Sequence, residues 1–304
     1  MPVIEVEGLR KRYGAIAAVD GVNFQVDRGE VFGMLGPNGA GKTTTVEILE
    51  GLRPRDGGTV RVLGLDPSHA ARAIKARIGV QLQQVALFPD LKVPEIIELF
   101  ASFYGRGGVA GGLIERLGLQ ERRTARVKEL SGGQQQRLSV ALAAVNDPEL
   151  VFLDEPTTGM DPQARRNLWG VVEQFKSEGR TVFLTTHYME EAERLCDRVA
   201  VMDHGRIIAL DAPGRLVRAH FNEDAIEFAQ CDGLSTDDLR PLPEVTSAAL
   251  EGDRFAVFSA RVPETMAALL DLARARKLPL EDLRVRHATL EDVFLKLTGR
   301  TLRD

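Results

Sequence analysis

Cysteine is scarce in this chain and a long apolar run is missing from it. Only two cysteines, Cys196 and Cys231, occur among 304 residues, far apart and outside any metal-binding or redox motif. This usage predicts a reducing, cytosolic location. No apolar run approaches the ~20 residues that a membrane-spanning helix needs. Any role at a membrane is therefore expected to depend on a partner.

Positive charge is not in excess either. The net charge is −5, so no overall basic field exists to hold nucleic acid or an anionic membrane surface, and no nucleic-acid partner is expected. The short basic clusters 10–12 and 122–123 are typical of solvated surface. The first residues, MPVIEVE, contain neither the basic nor the apolar stretch of a secretory signal, which also predicts a cytoplasmic protein.

Hydrophobic patterning divides the chain into three kinds of segment. From residue 150 onward, strand patterns at 150–153, 181–185 and 199–203 alternate with helical patterns at 161–178 and 188–196. This alternation predicts a parallel sheet covered by helices. The span 85–146 is almost entirely helical in pattern. It is therefore predicted to be a helical lobe inserted between sheet elements, within a domain covering 1–218.

The pattern changes after residue 218. Strand patterns at 225–229, 246–250, 253–259 and 282–286 accompany helical patterns at 263–276 and 289–298. Thr289 and Asp292 form an acidic capping box at the start of the last helix. We expect residues 219–304 to form a small α+β accessory domain, in which no catalytic motif is visible.

A glycine-rich run follows the strand pattern 30–35 and precedes the helical pattern 44–52. Glycines allow successive backbone N–H groups to turn inward around an anion, and the helix adds its own unpaired donors. Lys42 is expected to reach the β- and γ-phosphates, and the Thr43 hydroxyl to bind Mg²⁺. The pattern G-x-x-x-x-G-K-[ST] thus predicts a nucleoside triphosphate site formed by Gly36, Pro37, Asn38, Gly39, Ala40, Gly41, Lys42, Thr43 and Thr44.

Two acids end the apolar strand pattern 150–153. Carboxylates at the carboxyl end of a buried parallel strand lie where ligands collect in α/β sheets. Asp154 is expected to hold the Mg²⁺ shell, and Glu155 to orient or deprotonate a water that attacks the γ-phosphate. Alone, Asp-Glu after an apolar run would equally fit a strand end meeting a loop. The upstream phosphate loop favours the catalytic interpretation.

A second candidate anion site is the segment LSGGQQQR, residues 130–137. Ser131 is an N-cap residue, and Gly132 and Gly133 leave backbone N–H groups exposed at a helix start. One chain with a single phosphate loop has only one nucleotide to offer. We therefore expect two chains to face each other head to tail, with Ser131–Gln134 of each reaching the γ-phosphate held by the other.

With these motifs in order, residues 3–215 resemble the nucleotide-binding subunit of an ATP-binding cassette (ABC) transporter. The resemblance implies a P-loop NTPase sheet core with an inserted helical lobe, and ATP and Mg²⁺ as ligands. It implies that Tyr13 stacks on adenine, although Tyr13 alone would also fit a surface aromatic. It implies that Gln83 touches Mg²⁺ and the attacking water, with neighbouring Gln81 and Gln84 as alternatives in register.

The resemblance implies roles for two further residues, Asp161 and His187. Asp161, in a segment where Met160 replaces the usual Leu, matches the loop that couples the two sites across the dimer. His187 follows the strand pattern 181–186 and would reach the γ-phosphate. The implied catalytic set is therefore Glu155, His187, Gln83 and Lys42.

The resemblance also indicates a kind of ABC protein. The chain has one cassette and no inserted heptad arms, which argues against translation-type and DNA-repair members. The segments 185–193 and 288–300 resemble those of ATPase subunits of drug- and antibiotic-exporting systems. This implies an ATPase that drives export through a separate membrane permease and lies on the cytoplasmic face of the membrane as a homodimer. The alternatives are a soluble regulator or assembly factor, and the ATPase of an uptake system.

Overall fold

The computed structural model describes residues 2–81 and 87–298. The chain forms two compact units, one extending to Pro213 and the other beginning at Gly214. Within the described ranges, no helix is long and apolar enough to cross a membrane.

Strands and helices alternate through the first unit. Its strands are β1 (Pro2–Tyr13), β2 (Ile16–Asp27), β3 (Val31–Leu35), β4 (Gly57–Val62), β5 (Ile78–Gln81), β6 (Leu150–Asp154), β7 (Thr181–Thr186), β8 (Arg198–Asp203) and β9 (Arg206–Asp211). Its helices are α1 (Lys42–Leu49), α2 (Pro67–Lys75), α3 (Val93–Ser102), α4 (Ala110–Arg116), α5 (Gly132–Ala143), α6 (Pro162–Ser177) and α7 (Met189–Leu195), followed by α8 (Pro213–His220) at the boundary of the units.

The main sheet has the order β5-β6-β7-β3-β8-β9 and is parallel except for β9. The predicted parallel sheet is confirmed. Its register pairs Leu35 with Thr186 and Asp154 with Thr185. The carboxyl ends of β3, β6 and β7 therefore meet at one edge of the sheet, where the candidate residues follow.

Strand β9 was not predicted. It pairs antiparallel with β8 through a tight turn in which His204 and Gly205 both have positive φ, +46° and +76°. Two left-handed residues between strands are typical of a type I′ hairpin. β9 lies at the edge of the sheet and none of its residues is fully buried. Its sequence therefore lacks a clear alternation of apolar and polar residues, the pattern by which strands are recognised.

A second, antiparallel sheet of order β2-β1-β4 packs on the first to form the core. Phe32 and Phe183 from the main sheet lie 5.4 Å apart between ring centroids, and Phe24 from β2 stacks 5.4 Å from Phe32. Full burial of such rings is worth about 1.5–3 kcal/mol each. This apolar layer fixes β3 and β7, which carry the phosphate loop and His187.

The expected inserted helical lobe is confirmed as α3, α4 and α5, with no strand in the described part of the 85–146 span. Helix α5 packs directly on β5. A Cβ at Gly79 would lie 1.9 Å from the carbonyl oxygen of Ala143, so only glycine permits this approach.

The second unit contains β10 (Asp224–Ala229), α9 (Thr236–Leu239), β11 (Val245–Glu251), β12 (Arg254–Ser259), α10 (Val262–Arg276), β13 (Arg284–Arg286) and α11 (Leu290–Thr298). Its strands form an antiparallel sheet of order β11-β12-β10-β13. The capping box at α11 is confirmed, because the Thr289 N–H donates to Asp292 Oδ2 at 2.8 Å and the Asp292 N–H to Thr289 Oγ1 at 3.3 Å. The predicted boundary at 218/219 lies within α8 and remains a prediction about the domains.

Candidate nucleotide-binding site

The loop between β3 and α1 depends on glycine at two crowded positions. Gly41 has φ +106°, and a Cβ there would lie 2.2 Å from the carbonyl oxygen of Ala18. A Cβ at Gly36 would lie 2.2 Å from the carbonyl oxygen of Met202. Both distances are far below van der Waals contact, so the loop conformation requires glycine at these points.

Lys42, the first residue of α1, folds back over this loop. Its Nζ donates to the carbonyl oxygens of Gly36 at 2.7 Å and Pro37 at 3.1 Å. The residue is 5% exposed, and burial lowers the pKa of Lys42, an effect opposed by the carboxylates of Glu155 and Asp154. The ammonium group is therefore held at the mouth of the loop, beside two acids.

A pocket of about 520 Å³ opens in front of the loop and the start of α1. A helix N-terminus offers unpaired N–H groups and a positive dipole end to an anion. The pocket is lined by Tyr13, Ala18, Asn38, Gly39, Gly41, Lys42, Thr43, Thr44 and Glu155. The structure thus brings the predicted adenine-stacking residue, much of the phosphate loop and the predicted base to one cavity.

Asp154 is buried at the end of β6. The Thr185 hydroxyl, from the neighbouring strand β7, donates a short hydrogen bond to Asp154 Oδ1. Burial raises the pKa of Asp154, and this hydrogen bond opposes the rise. Thr185 was not predicted, although its place opposite Asp154 follows from the parallel register.

Glu155 adopts a left-handed backbone conformation, with φ +47°. Its N–H donates to Thr185 Oγ1 at 3.0 Å, and its Oε2 accepts from Thr158 Oγ1 at 3.2 Å. Such conformations cost about 1–3 kcal/mol in residues other than glycine and cluster at functional sites. Oε1 lies 3.8 Å from Lys42 Nζ and Oε2 lies 3.3 Å from His187 Nδ1. Three of the predicted catalytic residues therefore meet here.

Tyr13 ends β1 and is 41% exposed. The Lys11 ammonium lies 5.7 Å and the Arg53 guanidinium 5.3 Å from the ring centroid. Tyr13 and Ala18 both line the pocket. A partly exposed aromatic ring flanked by two cations therefore lies at the pocket.

Ser131 caps α5 as predicted. Its Oγ accepts from the Gln134 N–H at 3.4 Å, and Gln134 Oε1 accepts from the Ser131 N–H at 3.0 Å. Ser131 and Gly132 are exposed. Among the described residues that line the pocket, none comes from Ser131–Gln134. Within one chain, the second candidate anion-binding segment is thus not part of the pocket at the phosphate loop.

Two other predicted residues lie outside this cavity. Asp161 caps α6, because its carboxylate accepts hydrogen bonds from the N–H groups of Gln163 at 2.9 Å and Ala164 at 2.8 Å. The carboxylate therefore stabilises the start of this helix. Gln83 lies outside the described residues, as does its alternative Gln84. Gln81 ends β5 and is 1% exposed.

The donors near the pocket suit a magnesium ion held together with phosphates. Within the ranges 2–81 and 87–298, no cluster of three or more His, Cys, Asp or Glu side chains forms a metal site. Mg²⁺ commonly keeps several waters and takes one or two protein oxygens plus substrate phosphates. Thr43 at the pocket and Asp154 at the strand end supply that kind of donor set.

Comparison with known proteins agrees with this geometry. The family described as ABC transporter matches residues 19–158. A curated relative, "Nod factor export ATP-binding protein I" of Ralstonia nicotianae, is 43% identical over 100% of this chain and 96% of its own length. The protein of the same name from Paraburkholderia xenovorans is 42% identical over 99% of this chain and 98% of its own length.

Solved structures show the same fold over about seven tenths of the chain. An ATP-binding subunit of an ABC transporter is 28% identical, with a TM-score of 0.65 over 71% of this chain and 92% of that one. A bacterial ABC transporter cassette in dimeric form is 28% identical, with a TM-score of 0.61 over 69% of this chain and 98% of that one. The chain therefore belongs to the ABC transporter family, as an ATP-hydrolysing, ATP-binding subunit.

Proposed function

We propose that two copies of this chain bind two ATP molecules between them. Each ATP is held by Gly36–Thr44 of one chain and contacted by Ser131–Gln134 of the other, with Asp161 near the junction. The observation that carries this proposal is the separation, within one chain, of the pocket at the phosphate loop from the exposed N-terminus of α5. Two dimeric structures of one ATP-binding cassette, one of them bound to ADP and Pi, are among the similar structures.

Within each composite site, Tyr13 stacks on the adenine and Lys42 leaves its loop carbonyls to bind the β- and γ-phosphates. Thr43, Asp154 and Gln83 hold the Mg²⁺, which neutralises phosphate charge when it is bound. Glu155 orients and deprotonates the attacking water, while Thr158 fixes one of its oxygens. His187, beside Glu155, contacts the γ-phosphate.

Binding of ATP closes the dimer and hydrolysis reopens it. A ligand can drive this change only if it contacts the closed state better than the open one. The γ-phosphate supplies that difference because it alone reaches Ser131–Gln134 of the facing chain. Both half-sites of the chain carry a complete set of motifs, so a homodimer with two active sites is favoured.

Mixing two inactive variants tests the composite site. Lys42→Ala removes the phosphate-loop cation, and Ser131→Phe blocks the exposed start of α5, so each variant alone should lack activity. A mixed dimer contains one site with both lesions and one intact site. ATPase activity should therefore reappear on mixing, to about a quarter of the wild-type value if subunits pair at random and sites act independently. No recovery from two folded, dimer-competent variants would contradict the head-to-tail arrangement.

We further propose that the dimer powers export through a separate permease, on the cytoplasmic face of the membrane. The curated relatives, matched over nearly their whole length, are named as export ATP-binding proteins. A largely apolar pocket of about 320 Å³ between the sheet and the helical lobe offers a docking surface for that partner. Exposed Leu52, Phe103 and Tyr104 lie at or beside it. Residues 219–304 act as an accessory domain of the subunit.

Co-purification from detergent extracts distinguishes export through a permease from the two alternatives, a soluble regulator or assembly factor and the ATPase of an uptake system. A tagged Glu155→Gln chain should co-purify, from detergent extracts of its native host, with a polytopic membrane protein. Phe103→Asp, an exposed change next to the pocket, should reduce that recovery while leaving the ATPase activity of the isolated subunit intact. Recovery with a soluble macromolecule instead would favour a regulator or assembly factor. A solute-binding protein in the complex would favour uptake.

A further inference from the structure

The aromatic ring that follows His187 contacts both the histidine and a cation. Tyr188 precedes α7, and its N–H donates to Thr186 Oγ1 at 2.9 Å, which fixes the backbone on either side of His187. The rings of His187 and Tyr188 lie 4.2 Å apart between centroids at an interplanar angle of 39°. The guanidinium carbon of Arg165 lies 4.2 Å from the Tyr188 ring centroid. A row of three side chains thus runs from α6 to His187.

Arg165 makes this contact close to the buried Glu191, whose carboxylate lies within electrostatic reach of the guanidinium. Its Nε is buried and has no hydrogen-bond partner. A planar guanidinium over an aromatic ring is attracted by the ring's negative face, and the attraction strengthens where water is excluded. Tyr188 in turn is held against His187, whose imidazole must keep one orientation to face Glu155 at 3.3 Å.

A second contact ties the same face of α6 to the start of α7. Trp169 Nε1 donates to Glu191 Oε1 at 3.1 Å, and both residues are buried. Arg165 and Trp169 are four residues apart on α6, so they lie on one face of that helix. Because Glu191 belongs to the first turn of α7, this bond fixes the backbone that carries Tyr188.

The first turn of α6 also packs against the segment expected to contact the partner's ATP. A Cβ at Gly133 would lie 3.1 Å from Ala164 Cβ and 3.7 Å from Met160 Cε. Side chains on α6 therefore contact Gly133 at the start of α5 and Tyr188 beside His187. Packed interiors transmit small displacements because they are dense and nearly incompressible.

From these contacts we infer that Arg165 and Tyr188 are positioning residues that set the orientation of His187 and make it depend on the first turns of α6. This inference rests on the proposed contact of His187 with the γ-phosphate. It adds a route within each subunit from Gly133, at the partner's ATP, through α6 to the histidine at the subunit's own ATP. Arg165 and Tyr188 touch no reacting atom in this scheme.

The test compares kcat with KM for variants of the dimer. Arg165→Gln and Tyr188→Leu should each lower kcat about tenfold, comparable to losing one desolvated cation–π contact, and leave KM for ATP within about twofold. Tyr188→Phe keeps the ring and should retain wild-type kcat. Arg165→Lys keeps the charge but not the planar group, so its kcat should fall between those of the wild type and Arg165→Gln.

Arg194 provides the matched control. Its guanidinium lies 5.2 Å from the Trp169 ring, on the same pair of helices, whereas the guanidinium of Arg165 lies over the Tyr188 ring. Arg194→Gln should leave kcat unchanged. Thermal unfolding of every variant separates a loss of rate from a loss of folded protein, and Arg165→Lys keeps the test available if Tyr188→Leu does not fold.

Epistasis with His187 distinguishes positioning from general structural damage. In a His187→Ala background, Arg165→Gln should reduce kcat no further, because the residue that it positions is gone. Two results would overturn the positioning role while leaving the role of His187 intact. One is that Arg165→Gln lowers kcat as much in the His187→Ala background as in the wild type. The other is wild-type kcat in both Arg165→Gln and Tyr188→Leu while His187→Ala is impaired. Wild-type kcat in His187→Ala would overturn the proposed role of His187, and this inference with it.

Discussion

Oε2 of Glu155 lies 3.3 Å from Nδ1 of His187, although the two residues follow different strands of the sheet. Glu155 follows β6 and His187 follows β7, and these strands are parallel neighbours. The carboxyl ends of parallel neighbours lie at one edge, so the acid and the imidazole meet there. The pair places a candidate base and a candidate phosphate sensor beside one another.

Replacing Glu155 by Gln should separate binding from hydrolysis. The amide keeps the size of the side chain and its hydrogen bond with Thr158, but it is a far weaker base. We expect kcat to fall about 10²–10⁴-fold, the range of general acid–base contributions, while ATP binding persists. Size-exclusion chromatography with ATP and Mg²⁺ should then show an accumulated dimer.

Glu173→Gln, a change at an exposed acid on α6, serves as the control and should hydrolyse ATP normally. Glu155→Gln with ADP should stay monomeric, because ADP lacks the γ-phosphate that completes the interface. Wild-type turnover in Glu155→Gln would show that another group activates the water.

Lys42→Ala should lose nucleotide affinity and activity together. The ammonium is the one protein cation among the described residues that line the pocket at the phosphate loop. Loss of a charge-assisted hydrogen bond costs about 1.5–3 kcal/mol, so the Kd for ATP should rise about tenfold or more. Isothermal titration with ATP and Mg²⁺ measures this change. Lys75→Ala, an exposed lysine on α2, should bind ATP as the wild type does, whereas tight binding by Lys42→Ala would argue against the phosphate-loop assignment.

Most residues that line the pocket at the phosphate loop were candidates from the sequence, because their positions follow from local rules. The run from Gly36 to Thr44 and the acids after β6 lie at strand ends that apolar patterning reveals. Thr185 and Arg165 were not candidates, because their contacts with Asp154, Glu155 and Tyr188 come from strand register and helix packing. Both are properties of the assembled fold, and neither leaves a signal in nearby sequence.

The left-handed conformation of Glu155 was equally invisible in sequence. Positive φ is inferred from a sequence where glycine occurs, and a Glu residue does not indicate that conformation. The structure compensates with the hydrogen bond from the Glu155 N–H to Thr185 Oγ1. The strain is therefore balanced by tertiary contacts that sequence patterns do not encode.

Gly41 and Gly39 should respond very differently to alanine. A methyl group at Gly41 would lie 2.2 Å from the carbonyl oxygen of Ala18, whereas the space beside Gly39 is open. The cost of Gly39→Ala comes only from its positive φ, about 1–2 kcal/mol, and the variant should fold. Gly41→Ala adds a backbone overlap, so we expect it to lose ATP binding and to unfold at a clearly lower temperature. Equal melting temperatures for the two variants would contradict the close approach of the Ala18 carbonyl to Gly41.

The buried acid Glu50 should make the stability of the subunit depend on pH. It follows α1, is 1% exposed, and neither of its carboxylate oxygens has a hydrogen-bond partner. Burial raises the pKa of Glu50 to about 8, with smaller contributions from the charges of Asp154 and Glu47, against an opposing contribution from Lys75. The folded protein therefore binds this proton at pH values where the unfolded chain has released it.

The sign of the effect follows from proton linkage. Between the ordinary pKa of Glu, 4.5, and about 8, the folded state holds one more proton than the unfolded state, so this group makes stability fall as pH rises through that window.

Glu50→Gln cannot titrate and resembles the protonated acid. The variant should match the wild type at pH 5 and exceed it at pH 8.5, by roughly 2–4 kcal/mol in the free energy of unfolding. Melting temperatures at the two pH values measure this difference. Glu173→Gln, at an exposed acid on α6, is the control and should keep the wild-type pH dependence, since it leaves Glu50 and the charges around it in place. Parallel pH profiles for Glu50→Gln and the wild type would mean that Glu50 is ionised in the folded protein, in which case a cation or water must reach its carboxylate.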